Sequence, residues 1–221
     1  MKRYAVIGAS SGTGLVLVHQ LAGEQNAVRA ISRRPPDAGP LIEPFAADVT
    51  DAQSLAQALD GEFDAVFYTV DIHGLFKTRE EIRAVMFEGC RNAIRAVAKN
   101  AVGPKFVLLS VIGAHRPSWM WWILNMSKPG MQRNILEREQ VLKESGLSYI
   151  ICRAPKLNDG PGGLVTVAAT PAQHELDMKR GIPRADLARA LILAAVRAPV
   201  NTIWDVFCDA AGPTPDWLQT A

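Results

Sequence analysis

The chain has 221 residues, enough for one domain with a substantial hydrophobic core. Its 24 basic and 22 acidic residues give a net charge of +2, so a nucleic-acid partner is not expected, and no apolar run is long enough to span a bilayer. Three widely spaced cysteines predict free thiols in a reducing, cytoplasmic compartment, with neither a disulfide framework nor a metal site: Cys90, Cys152 and Cys208.

The N-terminal stretch combines a strand, a glycine-rich turn and a helix start. Residues 1–3 lead directly into an apolar run at 4–7, so we expect a strand there and no signal peptide, and apolar periodicity over 15–21 predicts a helix. Gly8 permits a tight turn, Gly12 the approach of a phosphate, and Gly14 close packing of the helix on the strand. The free N–H groups of the helix then face a pyrophosphate. The predicted cofactor contacts of this turn are Gly8, Ser10, Ser11, Gly12, Thr13 and Gly14.

Further strands and helices alternate along the chain. We predict strands at residues 27–32, 41–46, 64–70, 104–110, 147–153 and 202–207, with a short strand considered at 164–168. Helices are predicted from a cap at Thr50 or Asp51 to residue 59, and at 77–100, 131–145 and 184–198. This alternation predicts an α/β fold, a Rossmann-type doubly wound parallel sheet in one domain over residues 1–210, with its ligand crevice at the carboxyl ends of strands one and four. Residues 111–130 and 156–181 are expected to be substrate loops, and 211–221 a loosely held tail.

The end of the second strand bears on the choice of cofactor. NAD-preferring sites tend to place a carboxylate there, whereas this chain has Ser32, Arg33 and Arg34. Because a guanidinium suits a 2′-phosphate, we expect NADP(H) to be preferred over NAD(H), with Arg33 as the first candidate; alternatively, both arginines are solvated surface charges. Past the third strand, Asp48 and Val49 either meet the adenine edge or form a turn in which Asp48 only caps the backbone.

Several motifs together resemble the atypical short-chain dehydrogenases/reductases, in the NAD(P)H-binding group that includes NmrA-like proteins and biliverdin/flavin reductases. They cover about residues 3–207 and comprise the glycine turn, the arginine after the second strand, Asp48-Val49, and residues 108–114, 139–155 and 184–188, with 144–149 and 153–155 as the most telling parts of the 139–155 segment. The resemblance implies that Ser110 faces the nicotinamide and that backbone near Pro155, Lys156 and Leu157 meets its carboxamide. The end of the fourth strand borders the crevice and adds two predicted cofactor contacts, Thr69 and Val70.

The chain departs from typical family members in its acid–base residues. No tyrosine is followed four residues later by a lysine, and the equivalent positions carry Met131 and Ile135, which donate no proton. The usual mechanism of carbonyl reduction therefore does not carry over. Either a flavin or a conjugated substrate accepts a hydride and takes its proton from water, or another group supplies the proton. The catalytic candidates are Ser110 and His115, and His73 is a candidate for substrate contact, although ordinary backbone bonding or solvation fits each of them too.

A tryptophan-rich segment over residues 119–122 has three interpretations. It forms a lid over a flat apolar or aromatic substrate, touching it through Trp119 and Trp122; it forms a subunit interface; or it packs as a loop on the core. Lys128 either meets an acidic substrate group or is a surface charge, and the glycines of residues 160–163 suit a hinge for a loop over the substrate.

We therefore expect an NADPH-dependent oxidoreductase that acts on a small, largely apolar or aromatic substrate. Two alternatives remain, because fold alone does not decide among them. One is a non-catalytic protein that senses NADP(H), and the other is an isomerase or cyclase-like enzyme that reuses the pocket. The expected partner is a small molecule, with neither nucleic acid nor membrane, and the expected assembly is a monomer or a homodimer.

Overall fold

The computed structural model describes residues 1–72, 74, 77–99, 103–116, 118–163, 167–171, 174, 181–209 and 211–219. In this part of the chain the strands are β1 (Arg3–Ile7), β2 (Ala27–Ser32), β3 (Ile42–Ala46), β4 (Ala65–Tyr68), β5 (Lys105–Val111), β6 (Tyr149–Ala154), β7 (Lys156–Asn158), β8 (Val167–Pro171), β9 (Gly181–Pro183) and β10 (Thr202–Cys208). The helices are α1 (Gly12–Gly23), α2 (Ala52–Ala58), α3 (Arg79–Arg83), α4 (Gly89–Val97), α5 (Trp119–Ser127), α6 (Met131–Glu144) and α7 (Arg184–Arg197).

Eight of the described strands form one sheet, in the order β3-β2-β1-β4-β5-β6-β10-β8. The first seven are parallel, as predicted, and β8 adds an antiparallel strand beside β10 at one edge. Mixed edges of this kind are common in doubly wound sheets, and the predicted Rossmann-type α/β class is confirmed. Because the chain runs outward from β1 to β3 and returns to β4, the loops after β1 and β4 diverge at a topological switch point.

Helices cover both faces of the sheet. Helices α1 and α7 bury one face, with Leu17, Leu21, Leu187 and Leu191 against the strands. Helices α2, α4 and α6 bury the other, with Leu55, Ile94 and Leu142. Strand β4 is buried along its whole length, which explains why its sequence is a continuous apolar run instead of an alternating one.

The turn after β1 has the close packing that its glycines predict. Gly8 adopts a φ of +94°, a conformation that disfavours any side chain. A Cβ built on Gly14 would overlap the Gly8 carbonyl oxygen and lie 2.6 Å from Oγ1 of Thr69. Helix α1 therefore starts directly against the ends of β1 and β4, because no side chain separates them.

The segment predicted as one helix over residues 77–100 is a helix with an irregular middle. Helix α3 is capped by Thr78, whose hydroxyl accepts a hydrogen bond from the backbone N–H of Glu81, while the Glu81 carboxylate accepts one from the backbone N–H of Thr78. A π-helical turn, Ala84–Glu88, then connects α3 to α4. The apolar pattern over residues 77–100 did not reveal this turn.

Two stretches predicted as irregular contain regular structure. Helix α5 lies within residues 111–130, and within 156–181 strand β7 pairs in parallel with β9 while β8 joins the main sheet. The considered strand at 164–168 overlaps β8 only at its end, and residues 164–166 lie outside the described part. Strands of three residues escape sequence analysis because they are too short to show a period.

The C-terminal segment differs from the loosely held tail that we expected. Trp217 and Leu218 are buried, and the Trp217 ring meets the Trp204 ring edge-on at 5.4 Å. The backbone N–H of Ala169 also donates to the carbonyl of Pro213. These two large apolar side chains account for the packing.

None of the helices in the described ranges has both the length and the apolar character needed to cross a membrane.

We predict that Gly14→Ala lowers the free energy of unfolding by about 1–3 kcal/mol, because the new Cβ meets the Gly8 carbonyl. Gly23→Ala, in the same helix, is the matched control, since a Cβ there meets no atom within 4 Å. That control should be neutral or stabilising by up to about 1 kcal/mol. Denaturant unfolding measures both, and equal effects of the two substitutions would contradict the proposed close packing.

Candidate functional site

The N-terminus of α1 has the features of an anion site. Ser11 is the N-cap residue in an extended conformation, but its side chain makes no capping hydrogen bond, and the first turn holds no acidic residue. Oγ1 of Thr13 is buried and has no hydrogen-bond partner among the described residues. Ser10, Ser11 and Gly12 are exposed beside it. The N–H groups of this turn and the Thr13 hydroxyl are therefore available to a negatively charged ligand.

The end of β2 lies across the same crevice. Arg33 and Arg34 are both exposed and make no hydrogen bond or ion pair with any described residue. Ser32 precedes them, and its hydroxyl is buried without a partner in the described ranges. Two unpaired guanidinium groups at this strand end suit a phosphate, as the sequence predicts.

Arg184 is a cation that the sequence-based site omitted. It begins α7, and its Nε lies 3.5 Å from the position that a Cβ on Gly12 would occupy. Its Nη1 donates to Oδ1 of Asp159 at 2.6 Å. The only sequence signal was its place in a helix start that resembled the family, and nothing local in residues 184–188 indicated that α7 begins beside the glycine turn.

Asp48 and Val49 have structural contacts of their own. Oδ1 of Asp48 accepts hydrogen bonds from the backbone N–H and the hydroxyl of Thr50, so the interpretation as a turn cap is observed. The Val49 carbonyl accepts from Nδ2 of Asn92, and the Val49 side chain packs where Gly89 lacks one. Contact of Asp48 and Val49 with an adenine stays a prediction.

The carboxyl-terminal half of the sheet carries a buried polar row. Ser110 on β5 is in register with Arg153 on β6, which is in register with Asp205 on β10, which is in register with Thr170 on β8. All four side chains are buried, in a sheet whose neighbouring positions are apolar. In-register residues of adjacent strands point to the same face, which here is the face covered by α6.

Helix α6 supplies the carboxylate that pairs with Arg153 of this row. Arg153 donates to Glu139 from Nε at 3.0 Å and from Nη2 at 2.6 Å, and both side chains are almost fully buried. The Ser110 hydroxyl donates to the same carboxylate at 2.6 Å. The adjacent Arg138 donates from Nη2 to the carbonyl of Leu109 and so ties α6 to the end of β5. The Ser110 proton is thereby directed at Glu139, which differs from a serine that donates to a substrate.

His115 lies in the loop after β5 and is held from two directions. Its Nδ1 is 2.8 Å from Nη1 of Arg153. The loop is fixed by Nε1 of Trp121, which donates to the Gly113 carbonyl, and by Nε2 of Gln132, which donates to the carbonyls of Ala114 and Arg116. Burial, and next the positive charge of Arg153, hold the pKa of His115 below its usual value, and the carboxylate of Asp205 opposes this in part.

A second histidine extends the polar row. His174 donates from its backbone N–H to Oδ2 of Asp205 at 2.8 Å, and its Nδ1 lies 3.1 Å from the same oxygen. Its ring also meets Phe207 edge-on at 4.7 Å. Sequence analysis did not select His174 or Asp205, because they are 31 residues apart and only the β8–β10 pairing brings them together.

The tryptophan-rich helix divides its side chains between core and solvent. Trp121 is buried, whereas Trp119 and Trp122 are 71% and 68% exposed. With Ile123 and Met126 they form one exposed apolar face of α5, at helical spacing. Packing of the loop on the core is thus correct for Trp121 but wrong for Trp119 and Trp122, whose contact with a substrate stays a prediction.

The remaining predicted residues have mixed outcomes. Nζ of Lys128 donates to the carbonyl of Ile72 at 2.6 Å, so this cation binds the loop after β4. His73 lies outside the described residues. Thr69 and Val70 are partly exposed at the crevice, and Thr69 donates from Oγ1 to the carbonyl of Ile7. Of the predicted carboxamide contacts, Pro155 is buried, while Lys156 and Leu157 belong to β7 and not to a loop.

Neither the cysteines nor the family's usual acid–base positions provide a reactive group. Burial raises the pKa of the Cys90 and Cys152 thiols to about 12, and all three cysteines are free, as predicted, although Cys208 is only half-buried. Met131 and Ile135, where the resemblance places tyrosine and lysine, are both buried in an apolar cluster.

We predict that Glu139→Gln lowers the free energy of unfolding by about 3 kcal/mol, because it leaves the buried Arg153 guanidinium without a counter-charge. Glu137→Gln is the matched control on the same helix, since the Glu137 ion pairs with Arg83 and Arg133 are solvent-exposed and contribute less than about 1 kcal/mol. Denaturant unfolding of both variants tests this. Similar losses would show that the buried pair does not stabilise the site.

Comparisons with known proteins agree with the fold. The model of a family described as NAD(P)H-binding matches residues 8–199. An oxidoreductase of Lactococcus lactis superposes with a TM-score of 0.79 at 17% identity, covering 96% of this chain and 93% of that one. The anaerobillin reductase of Escherichia coli O157:H7 gives a TM-score of 0.72 at 21% identity, covering 96% and 100%.

A third structure contains a bound dinucleotide. A short-chain dehydrogenase/reductase of Veillonella parvula, in complex with NADP, superposes with a TM-score of 0.73 at 14% identity, covering 99% of this chain and 97% of that one. At such low identities the similarity to solved structures establishes the fold alone. The family model matches residues 8–199, most of the chain, and therefore establishes the family. The chain belongs to the NAD(P)H-binding family of Rossmann-type proteins.

Proposed function

We propose that the protein is an NADPH-dependent reductase of a small, largely apolar or aromatic substrate. The observation that carries the proposal is the start of α1 at the switch point, where, among the described residues, the backbone N–H groups have no side-chain cap and the Thr13 hydroxyl has no partner. The buried hydroxyl has no described partner, which suits a phosphate oxygen. In this proposal the pyrophosphate is bound by Gly8, Ser10, Ser11, Gly12, Thr13 and Gly14.

The preference for NADPH over NADH rests on the end of β2. Arg33 and Arg34 are exposed and unpaired there among the described residues, and neither residue beside them is an acid that would bind a ribose 2′-hydroxyl. The two guanidinium groups suit the 2′-phosphate, with Arg33 closer to the strand. Arg184, beside Gly12, is a further cation that suits the pyrophosphate.

In this proposal the substrate binds at the carboxyl ends of β5 and β6. Thr69-Val70 and Pro155-Leu157 would hold the nicotinamide, and bound NADPH would supply a hydride there. The exposed His115 lies on one side, and the apolar face of α5 offers Trp119 and Trp122 to an apolar ring. Because no tyrosine–lysine pair is present, the substrate is of a kind that accepts hydride without a strong acid, such as a flavin, a quinone or a conjugated ring system.

A second candidate function is a non-catalytic sensor of NADP(H). One observation favours it: Met131 and Ile135 occupy the positions of the usual acid and its lysine, and both are buried in an apolar cluster. A sensor keeps the dinucleotide site and has no use for the exposed tryptophans as a substrate surface.

Turnover distinguishes these two functions. Purified protein with NADPH is incubated with a panel of flavins, quinones and aromatic ketones, and the loss of reduced-cofactor absorbance is followed against reactions without protein. The proposal predicts protein-dependent oxidation with at least one acceptor of the panel. Tight NADPH binding with no turnover across the panel would contradict the reductase and favour the sensor.

We predict that Arg33→Ala weakens NADPH binding about 10- to 100-fold, because a charge-assisted contact to the 2′-phosphate contributes about 1.5–3 kcal/mol. NADH affinity should stay within about twofold, since NADH lacks that phosphate. Arg189→Ala is the control, because Arg189 is an exposed arginine on α7. Titration of each variant with both cofactors measures the effect, and equal weakening for NADPH and NADH would refute the assignment.

A further inference from the structure

The contact between His115 and Arg153 determines which ring nitrogen of His115 carries the proton. Nη1 of Arg153 lies 2.8 Å from Nδ1 of His115. A guanidinium has only donors, so Nδ1 must accept this hydrogen bond through its lone pair. The neutral ring then has its single proton on Nε2, the nitrogen at the opposite edge. Protonation of Nδ1 would replace this hydrogen bond with a donor facing a donor.

Arg153 cannot turn away from His115 without losing its buried partner. Nε and Nη2 are both committed to Glu139, so the fork geometry directs Nη1 at the histidine. The Glu139 carboxylate is in turn bound by the Ser110 hydroxyl. Strand β6, helix α6 and the end of β5 therefore fix the donor that His115 faces, while Trp121 and Gln132 hold the His115 loop in place.

The charges around His115 come from four elements. Arg153 on β6 and Arg116 in the same loop disfavour a positive imidazole, whereas Asp205 on β10 and Glu139 on α6 favour one. Glu139 is already neutralised by Arg153, and Asp205 is bonded to His174. Partial burial and the two arginines outweigh the two carboxylates, which lowers the pKa of His115 below its usual value and favours the neutral ring.

We propose that His115 acts as a neutral hydrogen-bond donor through Nε2–H, and that Arg153 is the residue that positions it. This proposal rests on the reductase function proposed above and names the roles of two residues in it. Nε2–H binds a carbonyl oxygen or ring nitrogen of the substrate and stabilises the negative charge that hydride acceptance places there. NADPH would give a hydride to the acceptor and become NADP⁺, and the proton that completes the reduced product would come from water and not from His115.

The proposal selects a class of substrate. A neutral donor of this kind suits an acceptor atom conjugated to the carbon or nitrogen that receives the hydride, as in quinones, flavins and enones. It does not suit an isolated ketone, whose alkoxide needs a proton in the same step. Among the panel used for turnover, conjugated acceptors should therefore react and simple aromatic ketones should not.

The direct test is nitrogen NMR of the cofactor-free protein labelled in histidine. His115→Gln identifies the His115 signals among the four histidines. We expect a proton on Nε2 and a bare Nδ1 throughout the neutral range, with the ring titrating below the ordinary 6.5. A proton on Nδ1, or an imidazolium at pH 7, would overturn the proposal, and this readout is independent of whether the protein turns over any substrate.

Kinetics of the substituted enzymes test the role in catalysis. His115→Gln keeps a neutral donor and should retain activity within about threefold, whereas His115→Ala should lose about tenfold in kcat/KM. His19→Gln, at an exposed position on α1, is the control. Arg153→Lys keeps the charge beside Glu139 but lacks the planar fork of donors. In this variant the NMR spectrum should show that the His115 proton is no longer confined to Nε2.

The pH profile separates a neutral donor from an acid. If His115 is a neutral donor, the enzyme loses activity as pH falls through the pKa of His115. The protonated ring can no longer accept the hydrogen bond from Arg153 that positions it. An acid loses activity as pH rises through that pKa. Activity that falls at alkaline pH in the wild type, but not in His115→Gln, would overturn the proposal. The absence of any turnover in the wild type would instead overturn the reductase function, and the NMR result on the tautomer would still stand.

Discussion

The absence of side chains at Gly8 and Gly14 is the constraint on which the binding crevice depends. Because Gly14 lies directly against the Gly8 carbonyl, α1 starts in contact with the ends of β1 and β4. Its first N–H groups then open onto the point where the loops after those strands diverge. Any side chain at either position would displace the start of α1, and the proposed anion site would no longer face the crevice.

A second constraint is the buried polar row across β5, β6, β10 and β8. Placing Arg153 and Asp205 in a sheet core costs several kcal/mol per ion in desolvation unless each has well-placed partners. Glu139 meets that need for Arg153 with two hydrogen bonds, and it accepts a third from Ser110. One consequence is that Ser110 and His115, which the sequence suggested as separate candidates, belong to one hydrogen-bond network. Their roles in it are opposite, since Ser110 donates to Glu139 and His115 accepts from Arg153.

Much of the fold was predictable because its signals are local. The glycine spacing after β1, the apolar run of β4 and the cap at Asp51 each depend on a few neighbouring residues, and the structure has them as expected. The polar network was not predictable in the same way. Glu139, Arg153 and Asp205 look like ordinary charged residues in a helix and two strands, and only strand register and the packing of α6 bring them together. The exposure of Trp119 and Trp122 likewise depends on how α5 is seated, which no local pattern gives.

The account as a whole requires that the crevice at the start of α1 bind a dinucleotide. Calorimetric titration of the folded protein with NADPH tests this most directly. We predict saturable binding of one NADPH per chain and weaker binding of NADH. The absence of any binding heat with NADPH over a range of temperatures, in protein whose folding is verified, would contradict the central claim.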